Sequence, residues 1–493
     1  MNRRHLLQQI SALAAGTLVS PELAPAAGQL AVGSVLGVDW GLAFADQDGD
    51  LAPGPMTRIS GTCPAGLSGD VYRNGPGKWR RPGGSAAHWF DGDGLVRAFR
   101  IRNGEASLAA RFVDTAKRRA DSAAGAVITP GFGTPGRPGA HIASADDVNP
   151  ANTSVMPLGG ELWALWEGGS PTVVNQSDLS TKGVKTLRSD LAHTPFLAHP
   201  RAEPDGDIWN LGVMGDKALV WRLGADGALA AADTIDLPCA SYVHDFTASE
   251  RWLIVVLAPL IRKKDAPAFP YIDGFSWRPD EPTRILVIDK ADLGSRRIYE
   301  LPAFFAFHFG PAWAEPDGTI RFDACASADP SFATRGGREI LKGDWTPTPP
   351  PVLALITLPP DGQAQMTRSA TTAEFPSADP ARSGWPRALT FHVTGDASRP
   401  LFHGLATYNW STHQADAFDF GPAHLVEEAV FAPRSDAGDG ELSGWLLTTS
   451  VNLVAKASEL HVFDANHVAD GPLCSWRAGV ALPAGLHAVF TPT

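Results

Sequence analysis

Short apolar runs separated by turn residues recur along this 493-residue chain, and that recurrence limits its fold more than any other feature. They lie at Glu161 to Trp166, Leu219 to Leu223, Trp252 to Leu257, Ile285 to Ile288, Val352 to Leu358, Leu401 to Tyr408, Trp445 to Thr449 and Leu460 to Phe463. Runs of this length suit strands. Many lead into turn chemistry and a return run, as at Gly224-Ala225-Asp226-Gly227, Asp289 to Gly294, Pro359-Pro360-Asp361-Gly362 and Ala469-Asp470-Gly471-Pro472, which marks hairpins. The 50 glycines and 41 prolines supply the turns, so the chain reads as all-β with few helices.

Three hairpins end on the same punctuation followed by a histidine. Leu237-Pro238 precedes His244 and Leu301-Pro302 precedes His308 at the same interval, and Leu482-Pro483 precedes His487. Pro195 precedes His199 without the leucine, at the spacing of the last pair. Self-similar strand units at intervals of tens of residues describe a β-propeller, whose blades surround a central channel. Histidines at equivalent places near the inner strands would all point at the axis.

The other histidines, such as His88, His141, His392 and His461, lack this phrase and read as surface or hydrogen-bonded core residues. Four neutral imidazoles without a direct carboxylate ligand suit iron, zinc or copper better than magnesium or calcium. Zinc usually closes a tetrahedron, whereas iron takes up to six ligands and leaves room for O2. An exported propeller hydrolase or sugar binder using zinc or calcium is the competing class on these grounds.

The ordered motifs of the chain resemble one family. They are Gly69 to Pro76 (Gly-Asp-Val-Tyr-Arg-Asn-Gly-Pro), His88 to Gly94 (His-Trp-Phe-Asp-Gly-Asp-Gly), Leu165 to Pro171, Ala198-His199-Pro200-Arg201, Val243-His244-Asp245-Phe246, Phe307-His308-Phe309 and Pro483 to His487. From about Leu67 to the C-terminus the sequence is similar to the carotenoid cleavage oxygenases, which include apocarotenoid oxygenases, lignostilbene dioxygenases and the retinal-pigment-epithelium isomerohydrolase. The resemblance implies a seven-bladed β-propeller with a lid of loops and short helices over an axial metal site. It implies one Fe(2+) per chain held by His199, His244, His308 and His487. It also implies glutamates behind three of the histidines, at Glu167, Glu374 and Glu428, although Glu427 adjoins the last. A carboxylate on the remote ring nitrogen would fix the tautomer that leaves the other nitrogen free for metal.

The resemblance further implies an Fe(II)-dependent dioxygenase that cleaves a carbon-carbon double bond of a carotenoid or apocarotenoid with O2, giving two carbonyl products. Stilbene-type cleavage is the alternative, and a polyene isomerase or carrier that binds iron without cleaving is another. Stilbene cleavers of the family usually have tyrosine in the segment that here reads Arg111-Phe112-Val113, which weighs against stilbenes. The Asp-Gly-Asp-Gly turn after His88 and the arginine of Gly69 to Pro76 read as structural, with Arg73 pairing locally.

The net charge of −12 offers no basic surface for nucleic acid. Met1-Asn2-Arg3-Arg4-His5-Leu6-Leu7, the mildly apolar Ile10 to Ser20 and Ala24-Pro25-Ala26 form a signal-peptide layout, with paired arginines of the twin-arginine type. The expectation is a signal over 1–27 and one propeller domain over 28–493, exported to the periplasm, with a cytoplasmic or peripheral membrane protein as the alternative. Segments Ala258 to Ile272 and Val127 to Gly139 are candidate entrance loops that touch membrane to collect an apolar polyene or stilbene-like substrate. Cys63, Cys239, Cys325 and Cys474 form no metal or redox motif.

Overall fold

A computed structural model of the chain describes residues 34–35, 38–346, 348–397, 399, 401–434 and 440–493. The expected signal segment 1–27 lies outside the described residues. Seven antiparallel sheets stand around one axis. Blades 2 to 6 are consecutive four-stranded units that begin at Ser154–Leu158, Arg201–Ala202, Thr247–Ala248, Trp313–Ala314 and Glu374–Ser377. Every apolar run read as a strand falls in one of the seven blades, although the first run outlasts its strand by Trp166 and the run from Leu401 enters its strand only at Gly404. Leu401 itself sits at φ 63°, a left-handed conformation that breaks the pleat before the strand begins.

The two remaining blades close the ring with strands borrowed from opposite ends of the chain. Ala488–Pro492 is the innermost strand of blade 1, paired with Gly69–Arg73, and Thr57–Gly61 is the outermost strand of blade 7, paired with Cys474–Arg477. Side chains of adjacent blades fill the space between sheets. Trp445, Leu447, Leu460 and Trp476 of blade 7 pack with Val71, Leu95 and Phe99 of blade 1 in one buried cluster. At about 25 cal/mol per Å² of apolar surface, such repeated clusters supply the main stabilisation.

Helices are confined to short pieces. Ala116–Ala124 is capped by Thr115, whose side chain accepts from the Arg118 N–H, and ends at Gly125 in the left-handed conformation. Lys117 of that helix is buried and bonds Asp93 and Asp121 at 3.0 Å each. Phe332–Gly336 and Gly337–Lys342 form a second helical piece over the cavity on the axis. No described helix is long and apolar enough to cross a membrane.

One expectation is corrected here. Arg73 does not pair locally: its guanidinium donates to the carbonyls of Leu486 at 2.6 Å and Glu428 at 2.5 Å, far along the chain. Of the two candidate entrance loops, Phe132, Leu260 and Ile272 share one buried cluster with the neighbouring Phe275, while Phe269 and Pro270 are only half-buried. Arg262 lies over the rings of Tyr271 and Phe275, so its charge covers aromatic surface of its own loop. Among the described residues, the large apolar side chains that are exposed lie elsewhere, such as Trp385 and Val454.

Candidate metal centre

Each of the four histidines sits on the connection leading into the inner strand of a blade. His199 precedes Arg201–Ala202, His244 precedes Thr247–Ala248, His308 precedes Trp313–Ala314 and His487 precedes Ala488–Pro492. Equivalent positions in a radial array converge, and one ligand nitrogen from each lies within 4.8 Å of all the others. That spread is slightly wider than the ~4.2 Å spanning two opposed metal–nitrogen bonds of ~2.1 Å. The His199 and His487 rings meet edge to face at 4.4 Å. The side chains of His244, His308 and His487 are only 9% to 12% exposed.

The three glutamates lie behind three of these rings. His244 Nδ1 meets Glu167 Oε2 at 2.5 Å, His308 Nδ1 meets Glu374 Oε2 at 2.6 Å and His487 Nδ1 meets Glu428 Oε1 at 3.2 Å. With the Nδ1 proton committed outward, each Nε2 keeps its lone pair for the axis. His308 Nε2 is buried without a hydrogen-bond partner, and His244 Nε2 faces His199 Nε2 at 3.0 Å. Buried nitrogens aimed at one another are costly unless a cation gathers them. A borderline divalent ion fits this donor set, and the second coordination layer that such an ion needs is already in place.

Burial, reinforced by the neighbouring imidazoles, holds His199 and His308 well below the ordinary histidine range, so both are neutral and able to ligate. Burial also opposes charge on His244, but the Glu167 carboxylate outweighs it and lifts that pKa. Glu374 is pushed up to about 8 by burial, whereas His487 and Arg73 outweigh burial at Glu428 and lower it.

Two backbone irregularities bring neighbouring residues to this one place. Strand residues alternate faces, so adjacent side chains rarely serve the same site. A bulge between Val426 and Ala429 breaks that alternation: Glu428 accepts from His487 and the Ala488 N–H, and Glu427 accepts from the Gly485 N–H and the Thr449 hydroxyl. At Phe375, φ is 56°, and this left-handed turn lets Glu374 hold His308 while the Phe375 ring packs 4.8 Å from the same imidazole. The sequence contains no signal for either irregularity.

The cavity above the histidines is lined mainly by aromatic side chains, among them Phe90, Phe132, Trp166, Tyr242, Phe307 and Phe375. Tyr242, unanticipated from sequence, donates its hydroxyl to Glu167 at 3.2 Å and so shares the carboxylate that orients His244. Phe112, used above to argue against stilbenes, packs in the blade 1 core and does not line the cavity. That substitution therefore carries no direct information about substrate.

The family model described as Retinal pigment epithelial membrane protein matches residues 44–492. The apocarotenoid-15,15'-oxygenase of Synechocystis is 27% identical over 88% of this chain and 92% of its own length. The resveratrol cleavage oxygenase 1 of Aspergillus fumigatus is 25% identical over 85% of this chain and 88% of its own. The cobalt-substituted Synechocystis apocarotenoid oxygenase superposes with a TM-score of 0.80 at 24% identity, covering 92% of this chain and 98% of that one. A propeller with four convergent histidines and a family match over most of its length leads to one conclusion: the chain belongs to the carotenoid cleavage oxygenase family.

Proposed function

We propose that this chain is an oxygenase that holds one Fe(2+) on His199, His244, His308 and His487 and cleaves a carbon-carbon double bond of an apolar conjugated substrate, with an apocarotenoid as the first choice. Both atoms of O2 end in product, one on each new carbonyl, so the reaction balances without another reductant. When bound, the ferrous ion supplies the redox-active coordination positions that O2 chemistry requires. The carrying observation is the set of four imidazole nitrogens at the inner end of an aromatic cavity, three backed by carboxylates.

The chain's own residues do the rest. Glu167, Glu374 and Glu428 keep the Nδ1 protons on the outer side of their imidazoles. Apolar walls exclude water and fix which bond of a long alkene sits beside the histidines. The paired arginines of the N-terminal segment support export of an already folded chain.

Stilbene-type cleavage is the second reading, favoured by the resemblance to the resveratrol cleavage oxygenase. The test is anaerobic Fe(II) loading followed by O2 exposure with a long-chain apocarotenal or resveratrol, with product analysis and His244→Ala as control. Two carbonyl fragments formed only with iron, O2 and wild type support the reading and choose between the substrates. Isomerised or unchanged substrate at full iron occupancy overturns it.

A further inference from the structure

The motif His88 to Gly94 is absorbed neither by the metal centre nor by blade packing alone. His88 is fully buried, and its two ring nitrogens have opposite roles. Nδ1 accepts from the Phe90 N–H at 3.1 Å, so Nε2 carries the proton and donates to the Ala333 carbonyl at 3.0 Å. Burial, with Arg338 nearby, holds this histidine down to about 3, which keeps it in that neutral tautomer. Asp91 accepts from the Phe132 N–H at 2.5 Å, the Gly133 N–H at 3.0 Å and the Thr134 hydroxyl at 2.6 Å. One turn therefore grips two separate pieces of the roof: the loop at 131–134 and the helical piece beginning at Phe332.

The fit at these grips is close enough to require glycine. A Cβ on Gly131 would stand 2.3 Å from Asp91 Oδ1, one on Gly133 would stand 2.6 Å from the His88 Cβ, and one on Gly337 would stand 2.3 Å from the His88 ring. The gripped loop carries a third piece, since Tyr271 and Ile272 donate to the carbonyls of Gly131 and Phe132 at 3.1 and 2.9 Å. Aromatic contacts run onward from the grip to the histidines. Phe132 meets Phe90 at 5.5 Å, Phe90 meets Phe307 at 6.0 Å, and Phe307 meets His244 at 5.3 Å.

We propose that His88 and Asp91 form a latch that positions the aromatic wall of the cavity, and through that wall determines which double bond of the substrate lies beside the metal centre. They are positioning residues, since neither bonds a ligand histidine, and the proposal about bond choice rests on the oxygenase reading above. The latch accounts for charged and polar chemistry buried under an otherwise apolar roof, where unpaired groups would be costly.

Two variants attack the latch by independent routes. Asp91→Asn removes a carboxylate that accepts from two backbone N–H groups. Gly337→Ala favours helix at a position with helical backbone, yet drives the His88 ring aside. The measurements are Co(II) affinity and absorption, amide exchange at Phe132 and Gly133, binding of a long-chain β-apocarotenal by tryptophan quenching, and its cleavage products with Fe(II) and O2. The latch predicts an unchanged cobalt spectrum, exchange at those amides faster by at least roughly tenfold in Asp91→Asn, KM raised roughly tenfold in both variants, and several carbonyl pairs where wild type gives one. Wild-type exchange, binding and a single product pair in both variants overturn it. If wild type binds but does not cleave the probe, the oxygenase reading fails by itself, and unchanged exchange and quenching in the variants still overturn the latch.

Discussion

The inner ends of the blades and the loops that roof them meet at one cavity, but they hold their side chains by different means. At the blade ends, position comes from repetition: equivalent connections deliver His199, His244, His308 and His487 to the axis. Each glutamate then comes from a different blade than the histidine it orients, as when Glu167 at the end of a blade 2 strand meets His244 at the entrance to blade 4. In the roof nothing repeats: one buried turn holds two unrelated segments, a third hangs on one of them by backbone hydrogen bonds, and aromatic packing joins them. A repeated scaffold can share the cost of aligning a polar centre over many contacts, while the roof depends on a few. Damage to the two regions should therefore show in different observables.

His244→Ala has the largest expected effect at the blade ends, with metal content falling from about one per chain to below roughly a tenth of that by mass spectrometry. Its roof amides should still exchange as in wild type, and a loosened roof would break the distinction between the regions. Glu374→Gln comes next. Loss of the carboxylate on His308 should weaken Co(II) binding by about 10- to 100-fold in a calorimetric titration. A change under about twofold would mean that the glutamate serves packing and not the imidazole.

Acid should act on both regions. His88 in the roof and His392 and His461 in the blades are held by burial at about 3, 4 and 3, below their ordinary 6.5. Between those values and 6.5 the unfolded chain binds more protons than the folded one, so stability rises with pH across that window and is lost as pH falls through it. The melting temperature of the apoprotein should drop on going from pH 7 to pH 5, and His88→Gln should flatten the part of that slope due to the roof. Arg338→Met should have the smallest effect, about 1 kcal/mol or less by denaturant titration. Its bonds to the Gly133 carbonyl and Asp273 are partly exposed, and the cobalt spectrum should not move.

Repetition also explains what could be read in advance. The histidines were legible because each follows a proline at the end of a hairpin, and that punctuation survives in sequence as the radial array survives in space. The glutamates required the family resemblance, and the choice between Glu427 and Glu428 was open because a bulge shows no residue signature here. The roof was illegible for the opposite reason. His88 reaches Ala333 and Asp91 reaches Phe132 across long sequence separations, so the Asp-Gly-Asp-Gly string appeared as turn chemistry alone. At Ala258 to Ile272 composition shows aromatic and basic residues but not which side chains fold inward: Leu260 and Ile272 are buried, while Phe269 and Tyr271 are half-buried.

The strand Ala488–Pro492 completes blade 1 immediately after His487, and this order has a consequence for biosynthesis. Ribosomes release a chain from its amino end, so blades 2 to 6 can assemble while both the ring and the metal centre are open. The residue that supplies the fourth imidazole and the strand that shuts the ring leave the ribosome together. A nascent chain interrupted before them has an unfinished blade 1 and a three-histidine site. The complete four-imidazole centre therefore exists only once the strand that shuts the ring has been made.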